Sequence, residues 1–363
     1  MRLGVAEAVV GSEVIAGDVA VEDGRIGAVG LSPPGSGVAI PGFVDLQVNG
    51  FAGVDFLAAQ PGDFAASGTA LAATGVVAYQ PTLISAPVED TVAAAVAIRE
   101  ARASSQHGPR IIGIHLEGPF LSPHRAGTHP IEMLREPTWD FLTPILAAGP
   151  VTMVTLAPEL SGAIELIARL TAAGIVVSLG HSDATADEAS RGFDAGARAV
   201  THLFNAMRPF SHRDPGIAGE AIARATIFLG LIADRVHLAN EAITTVWRAA
   251  GERMVVVTDA IAAAARGAGT WTLGNVAVEV ADGVARRRDG TLAGSVGTMD
   301  ESFRNLLALG LPLPDVVEAT SANACRLMGL PGGTLAPGEP ADIVVLDDRY
   351  EVRRTLIGGI EPT

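Results

Sequence analysis

Residues 41–50, PGFVDLQVNG, contain a Pro-Gly break, a short apolar run and two side-chain amides. The run that begins at Phe43 has the composition of a buried β-strand, interrupted by a single acidic residue, Asp45. Gln47 and Asn49 stand where this strand should end. The role of these two amides depends on whether other strands also end in polar residues.

Seven more apolar runs of strand length follow, and Ala-rich segments of helical length, such as 185–195 and 240–250, separate many of them. Strands that are buried on both faces and alternate with helices are typical of a parallel sheet. We therefore expect an α/β fold, a TIM-like (β/α)8 barrel. The eight runs are 42–48, 75–84, 110–117, 151–159, 174–181, 197–204, 226–237 and 253–260.

Both ends of the chain show a different pattern, with short and partly alternating apolar segments around polar turns such as Glu22–Arg25. These ends should meet in space as one small β-sandwich domain, formed by residues 1–40 and 335–363. The barrel would then occupy residues 41–334. Turns at Asp282-Gly283 and Asp289-Gly290 indicate a β insertion near 271–294, after the eighth strand.

Composition excludes several classes of function. The net charge of −15 argues against a general binder of nucleic acid or of anionic membranes. No uninterrupted apolar run is long enough for a convincing membrane span. The single cysteine, Cys325, cannot form an intrachain disulfide, which fits a cytoplasmic protein. All 25 basic residues are arginine, because the chain contains no lysine.

Several strand runs end in a metal ligand or a proton carrier, namely Glu117, His181, His202, His237 and Asp259. The carboxyl ends of barrel strands meet at one rim, so these side chains should converge there. A lone histidine at a strand end is more often a structural residue, but five such ends together favour a site. One Glu and two His make an open, zinc-type ligand set, and Asp259 could take a proton from water.

With these residues assembled, the chain resembles the N-acetylglucosamine-6-phosphate deacetylases, a branch of the amidohydrolase superfamily. The resemblance runs in order from about residue 41 to residue 347, and three of its motifs together, HLEGP, GHSDAT and THLFNAM, are specific to this branch. The motifs are PGFVDLQVNG, GIHLEGPFL, AGTHP, VTLAPE, GHSDAT, THLFNAM, DPGIAGE, VTDA, GTLAGS and GTLAPGEPADIVVLD.

The resemblance implies roles for individual residues. Glu117, His181 and His202 match metal ligands, and Asp259 matches the catalytic acid/base. The metal, together with His129 or His237, would stabilise the oxyanion. The positions that match substrate contacts are Thr128, His129, Asn205, Ala206, Arg213, Asp234, Arg235, Val236, His237, Leu292, Ala293 and Gly294. Arg213 matches a phosphate-binding arginine that members contribute across a homodimer interface, with Arg208 as a second candidate.

The resemblance also bears on Gln47 and Asn49. Some members carry His-x-His after the first strand and hold two ions, whereas others carry Gln-x-Asn and hold one. This chain is similar to the second kind, and without lysine it cannot bridge two ions through a carboxylated lysine. Neutral amides are poor ligands for zinc-like ions, so Gln47 and Asn49 should hydrogen-bond the site or only pack. We expect one divalent ion per subunit, Zn²⁺ first, with Fe²⁺, Co²⁺, Mn²⁺, Ni²⁺ or Cd²⁺ as alternatives.

The implied reaction is hydrolysis of N-acetylglucosamine 6-phosphate to glucosamine 6-phosphate and acetate, in amino-sugar catabolism or cell-wall recycling. The nearest alternative is a deacetylase of a related sugar phosphate such as N-acetylgalactosamine 6-phosphate. A more distant alternative is a catalytically inactive barrel that acts as a binding protein. The expected partners are a sugar phosphate and a second copy of the chain, with no nucleic acid and no membrane.

Overall fold

The computed structural model describes residues 1–104 and 108–362, so His107, expected in a solvated loop, lies outside the described residues. The N-terminal segment forms five strands. The turn predicted at residues 22–25 is present, because Asp23 and Gly24, with φ angles of 49° and 74°, join β3 and β4 as in a type I′ turn. The strands are β1 (Glu7–Val10), β2 (Glu13–Ala16), β3 (Asp18–Glu22), β4 (Arg25–Leu31) and β5 (Val38–Pro41).

The barrel follows at once, and each of the eight apolar runs contains one of its parallel strands. The elements of this part are β6 (Phe43–Val48), β7 (Gly50–Phe51), β8 (Val54–Asp55), α1 (Asp63–Ala73), β9 (Val76–Leu83), α2 (Val88–Ser104), β10 (Arg110–Ile111), β11 (Ile114–Glu117), α3 (Trp139–Ala148), β12 (Val151–Leu156), α4 (Ala163–Ala172), β13 (Val176–Leu179), α5 (Ala186–Asp194), β14 (Ala199–Val200), α6 (Gly216–Ala223), β15 (Phe228–Ile232), α7 (Asn240–Ala250) and β16 (Met254–Val257).

The strand order confirms the (β/α)8 barrel. β6 pairs with β9, and the order then runs β9-β11-β12-β13-β14-β15-β16, parallel throughout. A parallel bridge between Val48 and Ala260 joins the last strand end to the first. The strands are almost wholly buried because helices cover their outer faces, which is why they appear as continuous apolar runs rather than alternating ones.

The remaining strands and helices complete the fold. The β insertion starts slightly earlier than predicted and its last strand ends earlier, at Arg286. Its members and the C-terminal elements are β17 (Gly269–Leu273), β18 (Val276–Ala281), β19 (Val284–Arg286), α8 (Met299–Ala308), α9 (Leu313–Val317), α10 (Asn323–Met328), β20 (Ile343–Leu346) and β21 (Val352–Leu356).

The two ends of the chain meet in one sheet of order β2-β1-β5-β20-β21, with β3 and β4 paired beside it. β20 pairs antiparallel with β5, and the register places Ile343 opposite Pro41. The fold class, a barrel with a small β domain built from both termini, is therefore confirmed. The boundaries near residues 40 and 335 stay a prediction. Among the described residues, no helix has both the length and the apolar character needed to cross a membrane.

Candidate active site

The polar strand ends converge at one rim of the barrel. Glu117 is the last residue of β11, and His181, His202 and Asp259 each follow a strand by two residues. All four, together with His237, line one cavity of about 460 Å³. The remaining lining residues are Asn49, Ile84, His124, Arg125, Gly127, Thr128, His129, Asn205, Ala206, Ile232, Leu273, Thr291, Leu292 and Gly294.

Three of the polar strand-end residues adopt a backbone conformation that is costly for side chains other than glycine. His181, His202 and Asp259 have φ angles of 47°, 32° and 51°. A left-handed conformation costs an L-residue roughly 1–2 kcal/mol, so surrounding contacts must hold it. The sharp turn at each strand end directs the side chain toward the barrel axis, where the three can meet.

Three potential ligand atoms meet at nearly equal distances. Glu117 Oε1 lies 3.2 Å from His181 Nε2 and 3.0 Å from His202 Nε2, and the two nitrogens are 3.1 Å apart. Around an ion with bonds of about 2.0–2.2 Å, neighbouring ligand atoms lie roughly 3–3.5 Å from each other. The spacing of this set therefore fits a metal centre.

The protonation of His181 supports the same conclusion. Its Nδ1 lies 2.9 Å from the carbonyl oxygen of Arg125, which can only accept, so Nδ1 carries the hydrogen. In the neutral ring, Nε2 then presents a lone pair toward the Glu117 carboxylate. An ion bound by Glu117 could accept this lone pair, and orientation of a ligand histidine by a backbone carbonyl is usual at metal centres. The residues present fit a divalent ion.

His129 differs from His181 in this respect. Glu117, His129 and His181 each offer one ligand atom within 4.8 Å of the others, so distance alone would admit His129 as a ligand. The backbone N–H of Ser85, however, donates to His129 Nδ1 at 3.2 Å. Burial, followed by the nearby His181, lowers the pKa of His129 to about 3. The neutral ring therefore keeps its hydrogen on Nε2, which makes it a hydrogen-bond donor rather than a ligand.

Asp259 is held by the two amides of the first strand. Its Oδ1 accepts hydrogen bonds from Gln47 Nε2 at 3.0 Å and from Asn49 Nδ2 at 2.7 Å. The same Gln47 nitrogen lies 3.2 Å from Glu117 Oε1. These amides thus link the acid/base candidate to the ligand set without any charge of their own. Burial, followed by the charge of Glu117, raises the pKa of Asp259 to about 6.

The predicted substrate contacts divide into two groups. The members that line the cavity are Thr128, His129, Asn205, Ala206, His237, Leu292 and Gly294. Of the others, Arg235, Val236 and Arg213 are exposed, whereas Ala293 is buried in an apolar cluster under the β insertion. Asp234 accepts a hydrogen bond from His237 Nδ1 at 2.7 Å and so orients that ring.

The two candidate arginines have different surroundings. Arg208 forms ion pairs with Asp214 at 2.7 Å and Asp183 at 3.5 Å, which neutralise it within its own chain. Arg213 is exposed, and within residues 1–104 and 108–362 no carboxylate forms an ion pair with it. Its guanidinium is therefore available to an anion, although it does not line the cavity of its own chain.

Sequence reasoning missed several lining residues. Arg125 is the clearest case, since its carbonyl sets the tautomer of His181 while its side chain pairs with Asp183 at 2.7 Å. The only available signal was its position between the motifs GIHLEGPFL and AGTHP. Ile84, Gly127, Ile232, Leu273 and Thr291 also line the cavity, as does the exposed His124.

With this fold and site, the chain belongs to the amidohydrolase family, whose model matches residues 38–360. It is similar to the N-acetylglucosamine-6-phosphate deacetylase of Homo sapiens, with 43% identity over 344 residues covering 90% of this chain and 83% of that protein. Within the family, its branch is that of the N-acetylglucosamine-6-phosphate deacetylases.

Two further relatives have names that specify a sugar phosphate. A mutant of the Mycobacterium smegmatis deacetylase, solved in complex with N-acetyl-D-glucosamine-6-phosphate, has a TM-score of 0.94 and 36% identity and covers 100% of this chain and 99% of that one. The N-acetylgalactosamine-6-phosphate deacetylase of Escherichia coli O157:H7 is 35% identical over 324 residues, 88% of this chain and 86% of that protein.

Proposed function

We propose that this enzyme hydrolyses the acetamide of N-acetylglucosamine 6-phosphate to glucosamine 6-phosphate and acetate. The observation that carries the proposal is the convergence of Glu117, His181 and His202 beside Asp259 in one cavity. The Mycobacterium smegmatis complex with this sugar phosphate supports the choice of substrate. A catalytically inactive barrel is disfavoured, because all four of these residues are present and face each other.

In this proposal, Glu117, His181 and His202 hold one divalent ion, which when bound would supply the Lewis acidity that activates water and polarises an amide carbonyl. Zinc is the first choice, and Fe²⁺, Co²⁺, Mn²⁺, Ni²⁺ or Cd²⁺ also suit imidazole and carboxylate donors. Asp259 accepts the proton of the attacking water and then delivers it to the leaving amine. Its raised pKa suits both steps.

The hydrogen bonds also separate the roles of the two remaining histidines. His129 keeps its hydrogen on Nε2 and can donate to the carbonyl oxygen as negative charge develops there. His237 donates from Nδ1 to Asp234, so in its neutral form Nε2 can only accept. We assign carbonyl polarisation to His129, and to His237 a hydrogen bond from the sugar or its phosphate-bearing arm.

The remaining contacts are assigned by position. Thr128, Asn205, Ala206, Leu292 and Gly294 would contact the substrate within the cavity, while Asp234, Arg235, Val236 and Ala293 stay predicted substrate contacts that do not line it. Arg213 would bind the phosphate in the cavity of a neighbouring subunit, because it is exposed and outside its own. The enzyme would then be a homodimer with shared sites. A single, buried Cys325 supports a cytoplasmic location.

Elemental analysis of the fully active enzyme is expected to find one equivalent of metal per chain. The physical reason is that Gln47 and Asn49, whose amides bind Asp259, occupy the two positions where a second ion would need histidine ligands. Removal of the ion by a chelator should abolish activity, and one equivalent of zinc should restore it. Two equivalents, with activity following the second, would contradict this assignment.

A panel of three substrates tests the reaction itself. Amine release from N-acetylglucosamine 6-phosphate should exceed that from N-acetylgalactosamine 6-phosphate, and unphosphorylated N-acetylglucosamine should be poor. The Escherichia coli relative makes the galactosamine compound the second candidate. Faster turnover of N-acetylgalactosamine 6-phosphate would make that compound the preferred substrate. No amine release from any of the three compounds would reject the proposed function.

A further inference from the structure

Asp45 is a carboxylate that has no part in the metal binding, proton transfer or substrate binding proposed for this enzyme. It is the third residue of β6 and is 0% exposed. Burial raises its pKa to about 7. Placing a carboxylate in this position is costly compared with an apolar side chain, so its hydrogen bonds must offset that cost.

Those hydrogen bonds connect the first and last barrel strands. Asp45 Oδ2 accepts from the Thr258 hydroxyl at 2.6 Å. Its Oδ1 accepts from the backbone N–H groups of Thr258 and Gln47, both at 3.2 Å. One side chain therefore binds residues of both the first and the last strand region, where the barrel closes. Asp45 and Thr258 are 213 positions apart in the sequence.

The two residues held in this way are the immediate supports of Asp259. Thr258 precedes it in the chain, and Asp259 itself has the left-handed φ of 51°. The backbone N–H of Asp259 donates to the Gln47 carbonyl at 2.9 Å, while the Gln47 amide binds its carboxylate at 3.0 Å. A displacement of Thr258 or Gln47 would thus move Asp259.

We propose that Asp45 is a positioning residue for the reaction. Its carboxylate fixes Thr258 and Gln47 relative to each other, and it thereby holds the Asp259 backbone in its left-handed turn with the carboxylate directed into the cavity. Asp45 itself does not line the cavity. The inference rests on the proposed function, because it concerns the proton carrier of that reaction.

The expected signature is a loss of rate without a loss of binding. A misplacement of about 1 Å at a reacting group can cost on the order of 10²-fold in rate, whereas the substrate contacts lie elsewhere in the cavity. Asp45→Asn keeps an oxygen for the N–H donors but places an NH₂ group, which cannot accept, against the Thr258 hydroxyl. We expect kcat to fall about 10- to 100-fold, with KM and metal content unchanged.

Asp18→Asn is a matched control. Asp18 is also a buried carboxylate, 3% exposed, and it accepts backbone N–H bonds from Gly4, Val5 and Val19 at 2.8, 3.0 and 2.8 Å. It lies in the small β domain, away from the cavity. This variant should lower Tm and leave kcat at the wild-type value, since it removes a similar support that does not reach Asp259.

A second pair of variants keeps the test decisive if Asp45→Asn does not fold. Thr258→Ser retains the hydroxyl and should keep most of kcat, whereas Thr258→Val retains the shape without the hydroxyl and should lose kcat at constant KM. Equal kcat for these two variants would overturn the proposal. So would a kcat loss in Asp45→Asn no larger than that in Asp18→Asn, or a loss found in KM or metal content.

Failure of the proposed function would appear differently. Wild-type turnover of the sugar phosphates tests that function, and the ratio of each variant to wild type tests Asp45. An active wild-type enzyme with an unaffected Asp45→Asn variant therefore rejects only the positioning role.

Discussion

Asp259→Asn is expected to lower kcat by about 10²- to 10⁴-fold, which is the usual contribution of a positioned general base. The asparagine oxygen can still accept the hydrogen bonds that Gln47 and Asn49 donate, so the fold and the ligand set should persist. The neutral amide cannot take a proton from water at any accessible pH. Steady-state kinetics with elemental analysis of the same preparation measure both effects.

The pH dependence of kcat provides a second measurement on the same residue. Burial and then the charge of Glu117 raise the pKa of Asp259 to about 6, and a cation bound beside it would pull this pKa down. A general base must be ionised, so kcat should decline as the pH falls through about 6 or somewhat below. The acid limb should be absent from the residual activity of Asp259→Asn.

Substitution of a predicted metal ligand should change the metal content, in contrast to substitution of Asp259. His202→Ala and His181→Ala should deplete the metal, because each removes a nitrogen from the set around Glu117, whereas Asp259→Asn should retain it. If Asp259→Asn turned over substrate at close to the wild-type rate with its metal in place, another residue would have to carry the proton.

Arg213→Ala is expected to lower kcat/KM for N-acetylglucosamine 6-phosphate by roughly 30- to 1000-fold, or about 2–4 kcal/mol. A protein with a net charge of −15 repels a phosphate dianion unless a local cation compensates. Arginine suits that purpose because its planar guanidinium donates two parallel hydrogen bonds to phosphate. The phosphate is remote from the amide, so its binding energy can orient the acetyl group.

Unphosphorylated N-acetylglucosamine should barely respond to this change, since it has no group for Arg213 to bind. Arg248→Ala is the control, because it removes the same charge from an exposed position on α7 and should leave both substrates unaffected. Equal losses on the phosphorylated and unphosphorylated sugars would exclude Arg213 from phosphate recognition.

Mixing Arg213→Ala chains with Asp259→Asn chains tests whether the arginine acts across subunits. If it does, a mixed dimer holds one site with both defects and one with neither, so part of the activity should return. Demonstrated subunit exchange without any recovery would place Arg213 in the site of its own chain.

The amino-acid sequence was sufficient to predict the barrel fold and the polar residues that meet at its rim. Runs such as 151–159 and 253–260 are apolar because strands of a parallel sheet are buried on both faces, so each run located a strand within a few residues. The convergence of Glu117, His181, His202 and Asp259 could also be predicted, since the carboxyl ends of parallel barrel strands share one edge.

Other features were decided only by the tertiary structure, because they depend on contacts between residues that are far apart in the chain. Gln47 and Asp259 are 212 positions apart, and no local pattern relates their side chains. The hydrogens on His181 and His129 are set by Arg125 and Ser85, so the same residue type can present a lone pair to the site in one case and an N–H group in the other. The left-handed turns at His181, His202 and Asp259 likewise have no local signal, since these residues prefer other conformations and adopt this one only where surrounding contacts hold them.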